Sequence, residues 1–268
     1  MNIYNGISQI PHIECGVISV GTFDGVHLAH RTILEEVCRL AKSVNGQSIV
    51  ITFASHPRLL IDPDFDIKIL MTSDEKNFLL EKIGIDNVIY LNFNWEVAQM
   101  SYVDFMEMLS SKIDIAKIVV GYDHNFGKNR EGNILSLQKM SERHGFDVVE
   151  IPKQTIDGMD VKSSAIRKAL NNGDISSVNR LLGYNYSIKC IVWKIVQDTI
   201  SLRMNNTEKI LPKDGMYPIE IEGKATFLEI KSEKLCLIDK NLSFGMKKED
   251  IFAIKFIGNN MEQISPKS

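Results

Sequence analysis

The chain has 268 residues, a formal net charge of -3, 44% hydrophobic and 24% charged side chains, which are ordinary globular values at a length that allows one or two domains with a sizeable core. A charge so close to balance leaves no basic footprint of the kind nucleic-acid binders carry, so function has to be sought in local sites. Cys15, Cys38, Cys190 and Cys236 lie far apart without a C-x-x-C pair, a pattern that points to neither a zinc site nor a redox dithiol.

In chain order, the first ten residues lack a basic start followed by an apolar block, and no run approaches the ~20 apolar residues of a membrane span; a cytoplasmic protein that does not engage membranes is expected. Val17, Ile18 and Val20 form a short β-branched run closed by Gly21, the pattern of a buried parallel strand. Phe23-Asp24-Gly25 reads as a turn. From His27 the spacing becomes helical, with Leu28, Ile33, Leu34 and Val37 on an apolar stripe. A helix start carries unpaired N–H groups and partial positive charge, and anions settle there. His27 and His30, three residues apart, share one side of that first turn and can face one bound phosphate; a solvated or capping pair is the alternative reading.

Asn45-Gly46 ends this helix, and residues 47–54 hold a second buried strand. Ser55-His56-Pro57-Arg58 is a turn, because proline removes a donor and restricts its predecessor. Thr72 and Glu75 make a capping-box pattern for a helix to Ile83, with Phe78, Leu79 and Ile83 expected on one inward face. Residues 87–93 form a third strand, 101–111 a helix capped by Ser101, and 117–121 a fourth strand. The loop from Gly121 through Asp123 and Asn125 to Gly127 follows; Asp and Gly are turn formers, and an Asp just past a parallel strand can also bind ribose hydroxyls. A helix over 131–144, a strand over 146–151 and a helix opening near Ser163-Ser164 complete the alternation. Arg167 sits one turn into that last helix, where a planar guanidinium is suited to clamping phosphate. Alternating strands and helices predict a doubly wound parallel α/β sheet, with ligands beyond the carboxyl ends of its strands. Past Ser187, short alternating segments at 189–196, 216–222, 225–231 and 251–257, separated by Asn, Asp and Gly turns, predict a small antiparallel β-domain or barrel.

Four motifs, in order, carry a family resemblance. G-T-F-D-G-V-H-L-A-H at 21–30 resembles the G-x-F-D-G-V-H-x-G-H signature of bacterial FAD synthetases, with Ala29 in the place of a glycine. T-F-A-S-H-P at 52–57 is similar to that family's T-F-x-P-H-P. G-Y-D-H-N-F-G-K-N-R-E-G from Gly121 is similar to G-x-D-F-x-F-G-x-x-R-x-G, and Ser163 to Arg167 to S-S-T-x-I-R aligned on Ile166 and Arg167. The resemblance implies a Rossmann-like nucleotidyltransferase domain over 1–186 that makes FAD and pyrophosphate from FMN and ATP with Mg²⁺. It implies catalytic roles for His27, His30 and Arg167, and ATP contacts from Gly21, Thr22, Phe23, Asp24, Gly121, Asp123, Ser163 and Ser164. Flavin contacts are implied for Phe53, His56, Pro57, Asn125 and Phe126, and no protein metal-ligand set. Residues 187–268 resemble a truncated riboflavin kinase barrel: L-P-K-D-G-M-Y at 211–217 is similar to that domain's L-P-x-x-G-V-Y, while its P-T-A-N segment is absent from the sequence, so kinase activity is not expected. Two alternatives stay open at this stage, a nucleotidyltransferase of the same superfamily with another phosphorylated acceptor and a catalytically weakened flavin- or nucleotide-binding protein.

Overall fold

The computed structural model describes residues 1–54, 68–196, 199–238 and 246–258. It divides into two compact units, residues 1–67 with 73–155, and residues 68–72 with 156–268. The texture of the sequence changes at Ser187, whereas the units divide at 155/156, so the two helices after residue 160 are counted with the β-rich half.

In the first unit the strands are β1 (Asn2–Asn5), β2 (Ile13–Val20), β3 (Gln47–Phe53), β4 (Asn87–Leu91), β5 (Ile113–Gly121) and β6 (Asp147–Ile151). They form one sheet in the order β1-β4-β3-β2-β5-β6, parallel at every pairing. The chain builds β3 and β4 outward from one side of β2, then crosses to lay β5 and β6 on the other. The switch point, where an open α/β sheet leaves a crevice, therefore lies between the carboxyl ends of β2 and β5. Ile18, Ile49, Ile51, Ile89 and Ile118 fill the centre, as β-branched residues do on a sheet covered on both faces. Gly16 is needed there, because a Cβ would lie 2.5 Å from the Ile113 side chain and 2.9 Å from that of Ile49.

The connecting helices are α1 (Leu28–Ser43), α2 (Ser73–Ile83), α3 (Trp95–Gln99), α4 (Tyr102–Ser110) and α5 (Ile134–His144). Ser101 caps α4 by accepting from Asp104 N–H, and Gly145 closes α5 in the left-handed conformation, as the sequence implies. α2 turns differently from expectation. Phe78 is 57% exposed, while Leu80 and Lys76 are the buried positions. The strand β1 has no apolar alternation to announce it; its ladder to β4 is joined by a side-chain bond from Asn2 Nδ2 to Asn87 Oδ1 at 3.1 Å.

The second unit holds helices α6 (Ser163–Asn172) and α7 (Ile175–Leu182), preceded in the chain by the two-residue strands β7 (Thr155–Ile156) and β8 (Met159–Asp160). Six strands then close an antiparallel barrel: β9 (Ser187–Val196), β10 (Thr199–Met204), β11 (Gly215–Ile221), β12 (Lys224–Lys231), β13 (Lys234–Ile238) and β14 (Ile251–Phe256), in the order β10-β13-β12-β11-β14-β9. Its interior shows period two, with Ile188, Cys190 and Val192 inward on β9 and Phe252, Ile254 and Phe256 inward on β14. Strands β10 and β13 are additions to the sequence reading. No helix among the described residues is long and apolar enough to cross a membrane.

Candidate active site

The site in the first unit starts from β2. At its end Gly21 N–H donates to Ile51 carbonyl at 3.0 Å, which ties the strand to β3, and a Cβ on Gly21 would meet the Phe23 ring at 3.2 Å. The chain then folds back through an irregular turn, with Phe23 at φ 46°, Gly25 at φ 88° and Val26 at φ 34°. Positive φ at a bulky and a β-branched residue is stored strain that surrounding structure must hold in place. Asp24 and His27 are 5% and 4% exposed.

His27 is the N-cap of α1: its Nδ1 accepts from the backbone N–H of His30 at 3.2 Å. An accepting Nδ1 fixes the tautomer of a neutral ring, leaving Nε2–H as donor. The two imidazoles stack with centroids 3.6 Å apart and planes 14° from parallel, and the Phe23 ring meets that of His30 edge-on at 5.2 Å. Burial pulls the His27 pKa down to about 4 against its own backbone hydrogen bond. Burial, then His27 and Lys76, holds that of His30 well below the usual imidazole range. The Nδ1 of His30 is buried and has no hydrogen-bond partner among the described residues. An unsatisfied buried polar atom calls for an explanation, and a helix's first turn is where anionic ligands settle.

Behind the turn stands a lysine that the sequence reading passed over. Lys76 of α2 is 7% exposed, and its Nζ donates to the Thr22 carbonyl at 2.8 Å and to Thr52 Oγ1 at 3.2 Å. Burial lowers its pKa to about 8, with Asp24 opposing the shift. A polar residue at an inward helical position was the available signal.

Across the switch point, the loop after β5 is built by pairing Phe126 with Gly132, N–H to carbonyl in both directions at 3.0 and 2.9 Å. Phe126 packs among Tyr102, Phe105 and His124, and desolvation of the half-buried His124 lowers its pKa to about 4, with Asp123 opposing. Asp123 and Asn125 are exposed, joined by a 2.7 Å bond from Asn125 Nδ2 to the Asp123 carbonyl. At the end of β3, Phe53 stacks edge-on with Phe93 at 5.3 Å. Residues at or just past the ends of β3, β2 and β5, three adjacent strands, thus bring Phe53, the histidine turn and the Asn125-Phe126 loop to one edge of the sheet.

His56 and Pro57 lie outside the described residues. Ser163, Ser164 and Arg167 belong to the second unit, where Arg167 Nε donates to the Lys68 carbonyl at 3.1 Å. Among the described residues, no three His, Cys, Asp or Glu side chains gather as a metal cage.

A parallel sheet with a paired-histidine helix start at its switch point, followed by an antiparallel barrel, defines a nucleotidyltransferase-type α/β protein with an appended β-domain. Residues 10–165 match the FAD synthetase family model, and the chain belongs to that family. It is 28% identical over 212 residues to the bifunctional riboflavin kinase/FMN adenylyltransferase of Listeria monocytogenes, covering 76% of this chain and 67% of the relative. It is 30% identical over 232 residues to the enzyme of that description from Haemophilus influenzae, covering 84% and 75%. Among solved structures, one titled a macrolide-efflux protein from Streptococcus pneumoniae shares the fold with a TM-score of 0.83 at 18% identity, over 96% of this chain and 89% of that one.

Proposed function

We propose that this chain is an FMN adenylyltransferase without riboflavin kinase activity. A phosphate oxygen of FMN attacks the α-phosphorus of ATP, the bond from that phosphorus to the bridging oxygen of the β-phosphate breaks, and pyrophosphate leaves as FAD forms. The phosphate of FMN is already an anion, so the step needs no strong base; alignment and stabilisation of charge on the α-phosphate and leaving group supply the rate.

The observation that carries the reading is the buried, unpartnered His30 Nδ1 stacked on a helix-capping His27. Two neutral imidazoles at the N-terminus of α1 offer ring N–H donors to phosphoryl oxygens, and the helix dipole adds to them. Gly21, Thr22, Phe23 and Asp24 shape the turn toward ATP, and Gly121 and Asp123 receive its nucleoside. Phe53, His56, Pro57, Asn125 and Phe126 receive the flavin. Ser163, Ser164 and Arg167 keep the role that the resemblance implies, with the guanidinium matched to pyrophosphate oxygens. Mg²⁺, when bound, would supply charge neutralisation of the triphosphate.

The barrel's sequence supports the second half of the proposal. Between β9 and β11 there is no P-T-A-N segment to hold Mg–ATP. The test is incubation of the purified chain with MgATP and either FMN or riboflavin. FAD and pyrophosphate from FMN, with no FMN from riboflavin, are expected. Turnover of another acceptor phosphate in preference to FMN, or tight nucleotide binding without pyrophosphate release, would overturn the assignment.

A further inference from the structure

Replacing a buried charge by an apolar side chain of similar volume is often neutral or stabilising, so Lys76 at 7% exposure is poorly explained by the stability of the fold. Its position offers another explanation. The ammonium reaches the Thr22 carbonyl at 2.8 Å and Thr52 Oγ1 at 3.2 Å, and Thr52 Oγ1 itself donates to the Thr22 carbonyl at 3.1 Å. Thr22 immediately precedes Phe23, the first of the strained residues in the turn. Three elements, α2, β3 and the end of β2, are thereby locked onto one carbonyl.

We propose that Lys76 is a positioning residue for adenylyl transfer: its ammonium, anchored on Thr22 and Thr52, fixes the turn that presents Asp24, His27 and His30 and places a positive charge beneath it. The inference rests on the adenylyltransferase reading above. The groups facing the ammonium are Asp24 in the turn, His30 on α1, Thr52 on β3, and on β4 the Tyr90 ring, whose centre is 5.8 Å away. With both imidazoles held in their neutral form by burial, the cation of this cluster is Lys76, which remains mostly protonated at neutral pH. Fixed charge and preset geometry at a site that receives a triphosphate serve the transition state without reorganisation during the reaction.

The test compares full-length Lys76→Met and Lys76→Gln with the unsubstituted chain in three measurements: FAD formation from FMN and MgATP, thermal melting, and the NMR titration of the histidine rings. For Lys76→Met the expected result is an unchanged or higher melting temperature together with a kcat lowered about a hundredfold, the scale of a misplacement of about 1 Å, while KM for MgATP moves far less. The His30 imidazole is expected to titrate at higher pH, because a cation that disfavours its protonation is gone. Lys76→Gln, which keeps a donor for the Thr22 carbonyl, should recover part of kcat and none of the titration shift. An unchanged kcat in Lys76→Met, activity and melting temperature falling together with His30 unmoved, or failure of both variants to fold would each overturn the proposal. Absence of FAD formation by the unsubstituted chain would remove the adenylyltransferase reading instead, leaving melting and His30 titration to decide whether Lys76 is tuned to the site.

Discussion

The backbone N–H of His30 donates to Nδ1 of His27 at 3.2 Å while the two rings stack 3.6 Å apart. One contact caps the helix, and the other lays the second imidazole over the first. The pair therefore has divided duties: His27 belongs to both the fold and the site, and His30 has a buried nitrogen that the fold leaves unsatisfied.

His30→Ala should consequently lower kcat for FAD formation by about 10²–10³, the scale for removing one preorganised donor to developing charge. Its melting temperature should fall only by the lost stacking on His27 and Phe23, since the side chain satisfies no hydrogen bond of the fold through Nδ1. Steady-state kinetics beside calorimetric melting checks both halves; near-full rate would make this imidazole a packing group.

At His27 the two duties can be separated by substitution. Asn is among the best N-cap residues and Ala among the poor ones, with about 1 kcal/mol between them. His27→Asn should thus melt close to the parent and His27→Ala lower, whereas both should lose turnover by about two orders of magnitude for want of the Nε2–H donor. Equal activity of the Asn variant and the parent would confine His27 to capping.

Acid stability follows from the same burial. An unfolded chain protonates its histidines near pH 6.5, but folded His27 and His124 do so only near pH 4, and burial likewise holds His30 well below its ordinary range. Between those values the unfolded state binds more protons, so stability is fully present above pH 6.5 and falls as pH drops toward 4. For His27 alone, 4% exposed, the loss is about 3 kcal/mol. Urea midpoints measured from pH 7 to 4 should show this decline, and His124→Phe should make it shallower by removing one of the three groups.

Much of this was legible in the sequence because the relevant signals are local. The β-branched runs at Val17–Val20 and Ile49–Ile51 and the caps at Ser101 and Gly145 specify their own elements. The spacing of His27 and His30 likewise sets their common side of α1. What escaped depends on partners distant in the chain. β1 becomes a strand by pairing with β4, eighty-odd residues on, through its backbone and the Asn2–Asn87 side-chain bond. α2 shows Phe78 to solvent and turns Lys76 inward because Thr22 and Thr52 wait for an ammonium there, and no helical periodicity contains that fact. The stacking of His27 on His30 and the orphaned Nδ1 are likewise tertiary properties.

The loop after β5 offers a test of the flavin side of the site that leaves the histidines untouched. Gly132 has an unstrained backbone for an L residue, yet a Cβ there would stand 2.8 Å from the Phe126 carbonyl and from Tyr102 Cβ, and 2.9 Å from the Phe126 ring. Two of those neighbours belong to the residue that Gly132 pairs with and the third to α4, so the added methyl has to push the loop away from the helix. Phe126, wedged between Tyr102 and Phe105, must move with it, and Asn125 beside it. Gly132→Ala should cost about 1–3 kcal/mol of stability as an overpacked site. It should also weaken FMN binding about tenfold, the equivalent of 1.4 kcal/mol, measured by quenching of flavin fluorescence. With His27, His30 and Lys76 on the other side of the switch point undisturbed, turnover at saturating FMN should fall much less. Unchanged FMN affinity despite a lower melting temperature would detach this loop from the flavin and return it to a purely structural role.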